Sequence, residues 1–147
     1  MKIDVRKLKY SGQYESEFSI DYLPNESDIS FYDIAIDGAV KVTGFIELHN
    51  EDVYVEGTIS CTIVGKCARC LEDASTKFNV DYSTKYVLFD ANEDEYLYKS
   101  GVVDLTEMVN DILLTEMPTI LYCKADCKGL CPVCGENLNK SQCKCKN

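Results

Sequence analysis

The chain of 147 residues has no tryptophan and a single histidine, His49. With one histidine there is no H-E-x-x-H motif, and neither G-x-x-x-x-G-K-[ST] nor G-x-S-x-G occurs. No nucleophile stands beside a credible base, so the sequence points away from an enzyme and shows no small-molecule substrate. No hydrophobic run approaches the length of a transmembrane span, which predicts a soluble protein with no membrane partner. The first residues, MKIDVRKLKY, have no apolar stretch of a signal peptide and no cleavage site, which predicts a cytoplasmic, reducing setting.

Cysteine is what the chain has in excess. Of nine, six fall in its last stretch: Cys123, Cys127, Cys131, Cys134, Cys143 and Cys145. The centre reads Cys131-Pro132-Val133-Cys134-Gly135. Two thiolates three positions apart on a tight turn can point at one ion. Pro132 fixes a backbone angle, and Gly135 permits a left-handed turn after it. A disulfide framework would suit a secreted chain and would leave one of nine cysteines over. Thiolates at this density favour zinc over magnesium or calcium. The spacing predicts one zinc with Cys131 and Cys134 as its first ligands. Cys127 and Cys143 come next, and Cys123 and Cys145 are close alternatives.

Charge is unevenly spread. Residues 123–147 carry Lys124, Lys128, Lys140, Lys144 and Lys146 against Asp126 and Glu136, a formal +3. The total of −10 leaves −13 on residues 1–122. Such a body repels nucleic acid, so any contact with RNA must be local.

Ten tyrosines and many Val, Ile and Thr lean towards strands. Residues 2–9 read as a short basic strand broken at Gly12. Phe18 and Ile20 alternate with Ser19 and Asp21 as a second. Residues 25–33, with Asn25, Glu26, Ser27 and Asp28, read as a polar loop. Three longer alternating runs follow. Val40, Val42, Ile46 and Leu48 share one face; then Val53, Val55, Ile59, Cys61 and Ile63; then Phe78, Val80, Tyr82, Tyr86 and Leu88. Period two with short connections predicts antiparallel hairpins in a meander. His49 falls at a hairpin tip. Asp90 to Glu95 is an acidic surface loop. Asp104 opens a helix with Glu107 as its capping partner, and Leu105, Met108, Val109, Ile112 and Leu113 form its apolar face. Pro118 ends it. No internal repeat is apparent. The expected fold is α+β: an antiparallel meander, barrel-like, covered by one helix over residues 1–117. A small cysteine-rich zinc-binding tail fills 118–147.

Cys67-Ala68-Arg69-Cys70-Leu71-Glu72 joins the second and third long runs. This C-x-x-C can be half of a metal site, a redox pair, or a packed turn. A redox pair prefers a helix start, and this pair lies between strands. A metal site needs two more ligands, and the nearest spares lie in the terminal box. Arg69 can fork to a phosphate or carboxylate. A local ion pair with Glu72 or Asp73 is the plainer expectation.

The order of these features resembles the bacterial YceD family. It consists of Cys67 to Glu72, an alternating strand, an acidic loop, Val103-Asp104-Leu105 opening a helix, and Cys127-Lys128-Gly129-Leu130-Cys131-Pro132-Val133-Cys134-Gly135-Glu136-Asn137-Leu138-Asn139. The resemblance implies a role in accumulation of 23S ribosomal RNA and large-subunit assembly. Its shared part, carried onto this chain, is Cys67, Arg69, Cys70 and Leu71. Expected partners are rRNA, a basic large-subunit ribosomal protein, or both. The contacts would be made by those residues and by Lys124, Lys128, Lys140 and Lys144. The competing expectation is a zinc- or redox-responsive regulatory binding protein.

Overall fold

The computed structural model describes residues 1–25, 29 and 33–145. Most of the loop expected at 25–33 therefore lies outside the described residues. The strands β1 (Lys2–Asp4), β2 (Glu15–Tyr22), β3 (Ile34–His49), β4 (Asp52–Lys66), β5 (Asp73–Val87), β6 (Glu95–Leu97) and β7 (Val102–Asp104) are joined by helix α1 (Arg6–Ser11) and followed by α2 (Thr106–Glu116).

Strands β2 to β5 form the expected antiparallel meander, in the order β2-β3-β4-β5-β6. Its edge strand β6 runs parallel to β5, so the sheet is mixed at that side. The sheet does not close, which corrects the barrel-like expectation. The alternation sets the faces as read: Val40, Val42, Ile46, Val53, Val55, Ile59 and Ile63 are all but sealed from solvent. Each such side chain contributes about 1.5–3 kcal/mol of burial.

The apolar rows skip a beat at Gly44 and Gly57, which pair across β3 and β4. A Cβ on Gly44 would stand 2.1 Å from the Glu56 carbonyl oxygen, and one on Gly57 1.9 Å from that of Thr43. The long strands approach this closely only because neither residue has a side chain. Tyr82, opposite Gly57 on β5, donates its hydroxyl to the Thr43 carbonyl (3.4 Å).

Residues 2–9 are not one strand. β1 ends at Asp4, and α1 begins two residues later. The Asp4 carboxylate accepts from the Arg6 amide (3.0 Å) and from its guanidinium (2.9 and 2.7 Å), which turns the chain. β1 then pairs with distant β7 in a two-stranded sheet that no local pattern announces. At α2, Asp104 accepts the Thr106 amide (3.0 Å) rather than that of Glu107. Met108, Val109 and Leu113 of α2 join the sheet's face in one core. The helix ends at Glu116, before Pro118. His49 is exposed at its hairpin tip and meets Glu47 at 2.9 Å. Among the described residues no helix is long and apolar enough to cross a membrane.

Candidate metal centre

The core extends past α2 to the hairpin end of β4–β5, where Cys67, Cys70, Met117, Leu121 and Cys127 belong to it. The chain leaving α2 is laid against the β4–β5 turn. Cys67 and Leu121 form a parallel bridge, and the Ala68 amide donates to the Leu121 carbonyl (2.9 Å). This brings two pairs of cysteines together. Cys67, Cys70, Cys123 and Cys127 place their four sulfurs within 4.8 Å of one another. Cys131, Cys134, Cys143 and Cys145 do the same in a second group.

The sulfurs are spaced for ligation. Cys67 to Cys127 is 3.8 Å and Cys70 to Cys123 is 3.5 Å. In the second group, Cys134 to Cys143 is 3.5 Å and Cys131 to Cys143 is 3.3 Å. Four sulfurs bound at about 2.3 Å around one tetrahedral zinc stand about 3.8 Å apart. All nine cysteines are free thiols. Cys61 stays apart on the apolar sheet face, where burial pushes its thiol pKa up.

Both groups are built on the same knuckle. Leu71 donates its amide to the Cys67 carbonyl (2.9 Å), and Cys67 donates to the Glu72 carbonyl (2.8 Å). Gly135 donates to Cys131 (2.9 Å), and Cys131 to Glu136 (2.8 Å). Leu71 and Gly135 both sit in the left-handed region, at φ 61 and 75. The pattern C-x-x-C-x-E thus occurs twice with one backbone path. This is the local repeat that the sequence reading missed.

Electrostatics in each group separate a ready thiolate from a reluctant one. The Cys123 amide, together with those of Arg69 and Cys70, lowers Cys67 to about 6. The Cys134 and Val133 amides lower Cys131 to about 6. Lost hydration and the neighbouring Cys70 thiol push Cys123 up to about 12, and the Cys143 thiol does the same to Cys145. Burial works against the Cys127 thiolate, but the Asn139 side chain and the Gly129 amide outweigh it and hold its pKa below the usual range.

The structure divides the residues expected to hold one ion. Cys131, Cys134 and Cys143 share a group, whereas Cys127 stands with Cys67, Cys70 and Cys123. The expected boundary at 117/118 runs between the two halves of that first group. Arg69 pairs with neither Glu72 nor Asp73. Its guanidinium donates to the Cys127 carbonyl (3.1 Å) and lies 4.8 Å from the centre of the Tyr122 ring. Glu72 accepts instead from Lys140 (2.7 Å) and Asn137 (3.3 Å), and Asp73 meets Lys66. Leu71 is exposed. Lys124, Lys128 and Lys144 are exposed and enter no salt bridge among the described residues.

Asn137 and Asn139 were not singled out from the sequence. Asn139 donates to the Cys127 sulfur (3.3 Å) and accepts the Lys128 amide (2.9 Å), so the second knuckle supports a ligand of the first group. The available signal was N-x-N directly after the second C-x-x-C-x-E.

The sequence profile of a family described as large ribosomal RNA subunit accumulation protein YceD matches residues 55–147. An uncharacterized protein of Mycobacterium tuberculosis is 33% identical over 97 residues, covering 61% of this chain and 47% of that protein. The uncharacterized protein YlbN of Bacillus subtilis is 23% identical over 142 residues, 93% of this chain and 83% of its own. The chloroplastic large ribosomal RNA subunit accumulation protein YCED homolog 1 of Arabidopsis thaliana is 37% identical over 43 residues, 29% of this chain and 13% of that protein. The chain spans about half the length of the mycobacterial relatives it matches. No solved structure matches it. The matched stretch takes in more than half of the chain and all eight clustered cysteines, and the chain belongs to the YceD family.

Proposed function

We propose that this YceD-family chain is a cytoplasmic, non-enzymatic ribosome biogenesis factor. It supports accumulation of 23S rRNA and large-subunit assembly by binding rRNA or a basic large-subunit ribosomal protein. The observation that carries this reading is the family match across residues 55–147, which spans both cysteine groups. Zinc held by the terminal cysteines serves as a closed, structural ion. An all-thiolate set leaves no open position of the kind a catalytic zinc keeps.

Charge decides how such a protein binds. The body carries −13 over residues 1–122, which suits a basic protein and opposes RNA. RNA contact is confined to Lys124, Lys128 and Lys144 at the tail, with Arg69 and Lys140 already engaged by Cys127 and Glu72. The RNA salt slope is then shallow, on the order of two to four contacts at roughly 0.7–0.9 log units each.

The test is a titration of the full chain, and of a variant with Lys124, Lys128, Lys140 and Lys144 changed to Gln, against a 23S fragment and a basic large-subunit protein. The expected result is binding to the protein that the lysine changes leave intact or strengthen. Tight, lysine-dependent binding to RNA with none to protein moves the interface to the tail. Failure to bind either partner removes the reading.

A further inference from the structure

We propose that the chain carries a second zinc ion, held by Cys67, Cys70, Cys123 and Cys127, and that this ion fastens the C-terminal stretch to the end of the sheet. It is separate from a zinc in the terminal group and goes beyond the binding role proposed above.

The ligands come from two places. Cys67 and Cys70 lie on the β4–β5 turn, and Cys123 and Cys127 on the stretch after α2, with Cys70 and Cys123 53 positions apart. Among the described residues the stretches are also joined by the Ala68–Leu121 bond (2.9 Å), the Arg69 side chain on the Cys127 carbonyl and the Tyr122 ring, the Leu130 amide on the Arg69 carbonyl (3.1 Å), and Lys140 and Asn137 on Glu72. One tetrahedral ion adds four bonds across the same gap and closes a long loop.

The site has the parts a thiolate metal centre needs. Its four sulfurs meet at ligating separation. Its knuckle repeats, bond for bond, the knuckle of the terminal group. Asn139 supplies a donor to the Cys127 sulfur, an outer hydrogen bond of the kind that holds a ligand in place. Four thiolates and one zinc leave a net −2. The cationic groups of Arg69 and Lys140 stand at the same knuckle, on Cys127 and Glu72, and offset it. Three of the four cysteines are buried, and simple packing of thiols does not explain why all four sulfurs converge on one point.

The full chain, purified under reducing conditions without added metal, gives the count by native mass spectrometry and elemental analysis. Two zinc ions per chain are expected. Cys123→Ser should retain one, and Cys145→Ser should retain one. Because a ligand variant can fail to fold, the wild type supplies an independent readout. After exchange, cobalt should develop tetrahedral thiolate absorption up to two equivalents. Eight thiols should resist alkylation until a chelator is added, with buried Cys61 scored separately. A single zinc with Cys67, Cys70 and Cys123 alkylated in the native chain would overturn the proposal. So would iron in place of zinc, or a second cobalt equivalent without thiolate bands.

Discussion

The stretches Cys67–Glu72 and Cys131–Glu136 share a backbone path and differ in nearly everything around it. The first knuckle is the turn of two 15-residue strands and draws its other two cysteines from beyond α2. The second draws its remaining ligands from within the next eleven residues, and Cys134 is exposed. A local site of that kind organises only itself. A site whose halves are more than fifty residues apart organises the connection between sheet and tail. The same short motif therefore supports two different structural tasks, and the surroundings decide which.

The strongest way to break this comparison is to remove ligands one group at a time. Cys131→Ser should disorder the tail and leave the strand signal in far-UV circular dichroism in place. Cys70→Ser should release the C-terminal stretch as well and lower the melting temperature of the main transition by about 10 °C or more. Equal effects of the two would show that both knuckles belong to one folding unit. A mild chelator should likewise strip the less buried terminal group first, read as two separate phases of zinc release.

A finer cut separates ligand from support. Asn139→Ala keeps all eight thiols but deletes the donor to Cys127. Loss of such an outer bond typically costs 10–100-fold in metal affinity, so chelator competition should show roughly that drop for one ion and none for the other. An equal fall at both ions would mean the variant damages the tail as a whole.

Acidity should affect the two groups alike. Each pairs a thiol at about 6 with one at about 12. At neutral pH the reluctant thiol keeps its proton until metal displaces it, so binding releases protons and affinity rises with pH. Below about pH 6 the ready thiolates of Cys67 and Cys131 also protonate, and retention should fall. Zinc affinity that is flat between pH 6 and 8 would contradict this.

The meander could be read in the sequence because alternation is a local signal that burial enforces, as Val53 to Ile63 illustrates. The terminal knuckle could be read for the same reason, since Pro132 and Gly135 mark it within five residues. What could not be read depended on distance. β1 finds β7 a hundred residues away, and Cys127, four residues from Cys131, turns instead to Cys67. Spacing along the chain ranked Cys127 with its neighbour, whereas the Cys67–Leu121 bridge decides its partner. The carboxylates nearest Arg69 along the chain are occupied by others, Glu72 by Lys140 from the tail and Asp73 by Lys66 across the strand pair.

The smallest expected effect concerns the left-handed position of the two knuckles, a leucine in one and a glycine in the other. Gly135 holds φ 75 at no steric cost, and a Cβ there would meet nothing within 4 Å. Leu71 holds φ 61 as an ordinary residue, which costs about 1–2 kcal/mol. Its side chain is 62% exposed, so burial recovers little of that. Leu71→Gly should relieve the strain but free the unfolded chain, which opposes it by about 0.4–1 kcal/mol. The net change should lie between zero and about 1.5 kcal/mol of stabilisation in urea midpoints of the zinc-loaded chain. Gly135→Leu should destabilise its knuckle by the same balance with the sign reversed, between zero and about 1.5 kcal/mol, with no clash at its Cβ to add. If Leu71→Gly leaves the fold intact but weakens binding to the basic large-subunit protein proposed above as a partner, the side chain is a contact. A loss of more than about 1 kcal/mol in the isolated protein would make Leu71 a packing residue instead, and the two knuckles would differ in structure as well as in surroundings.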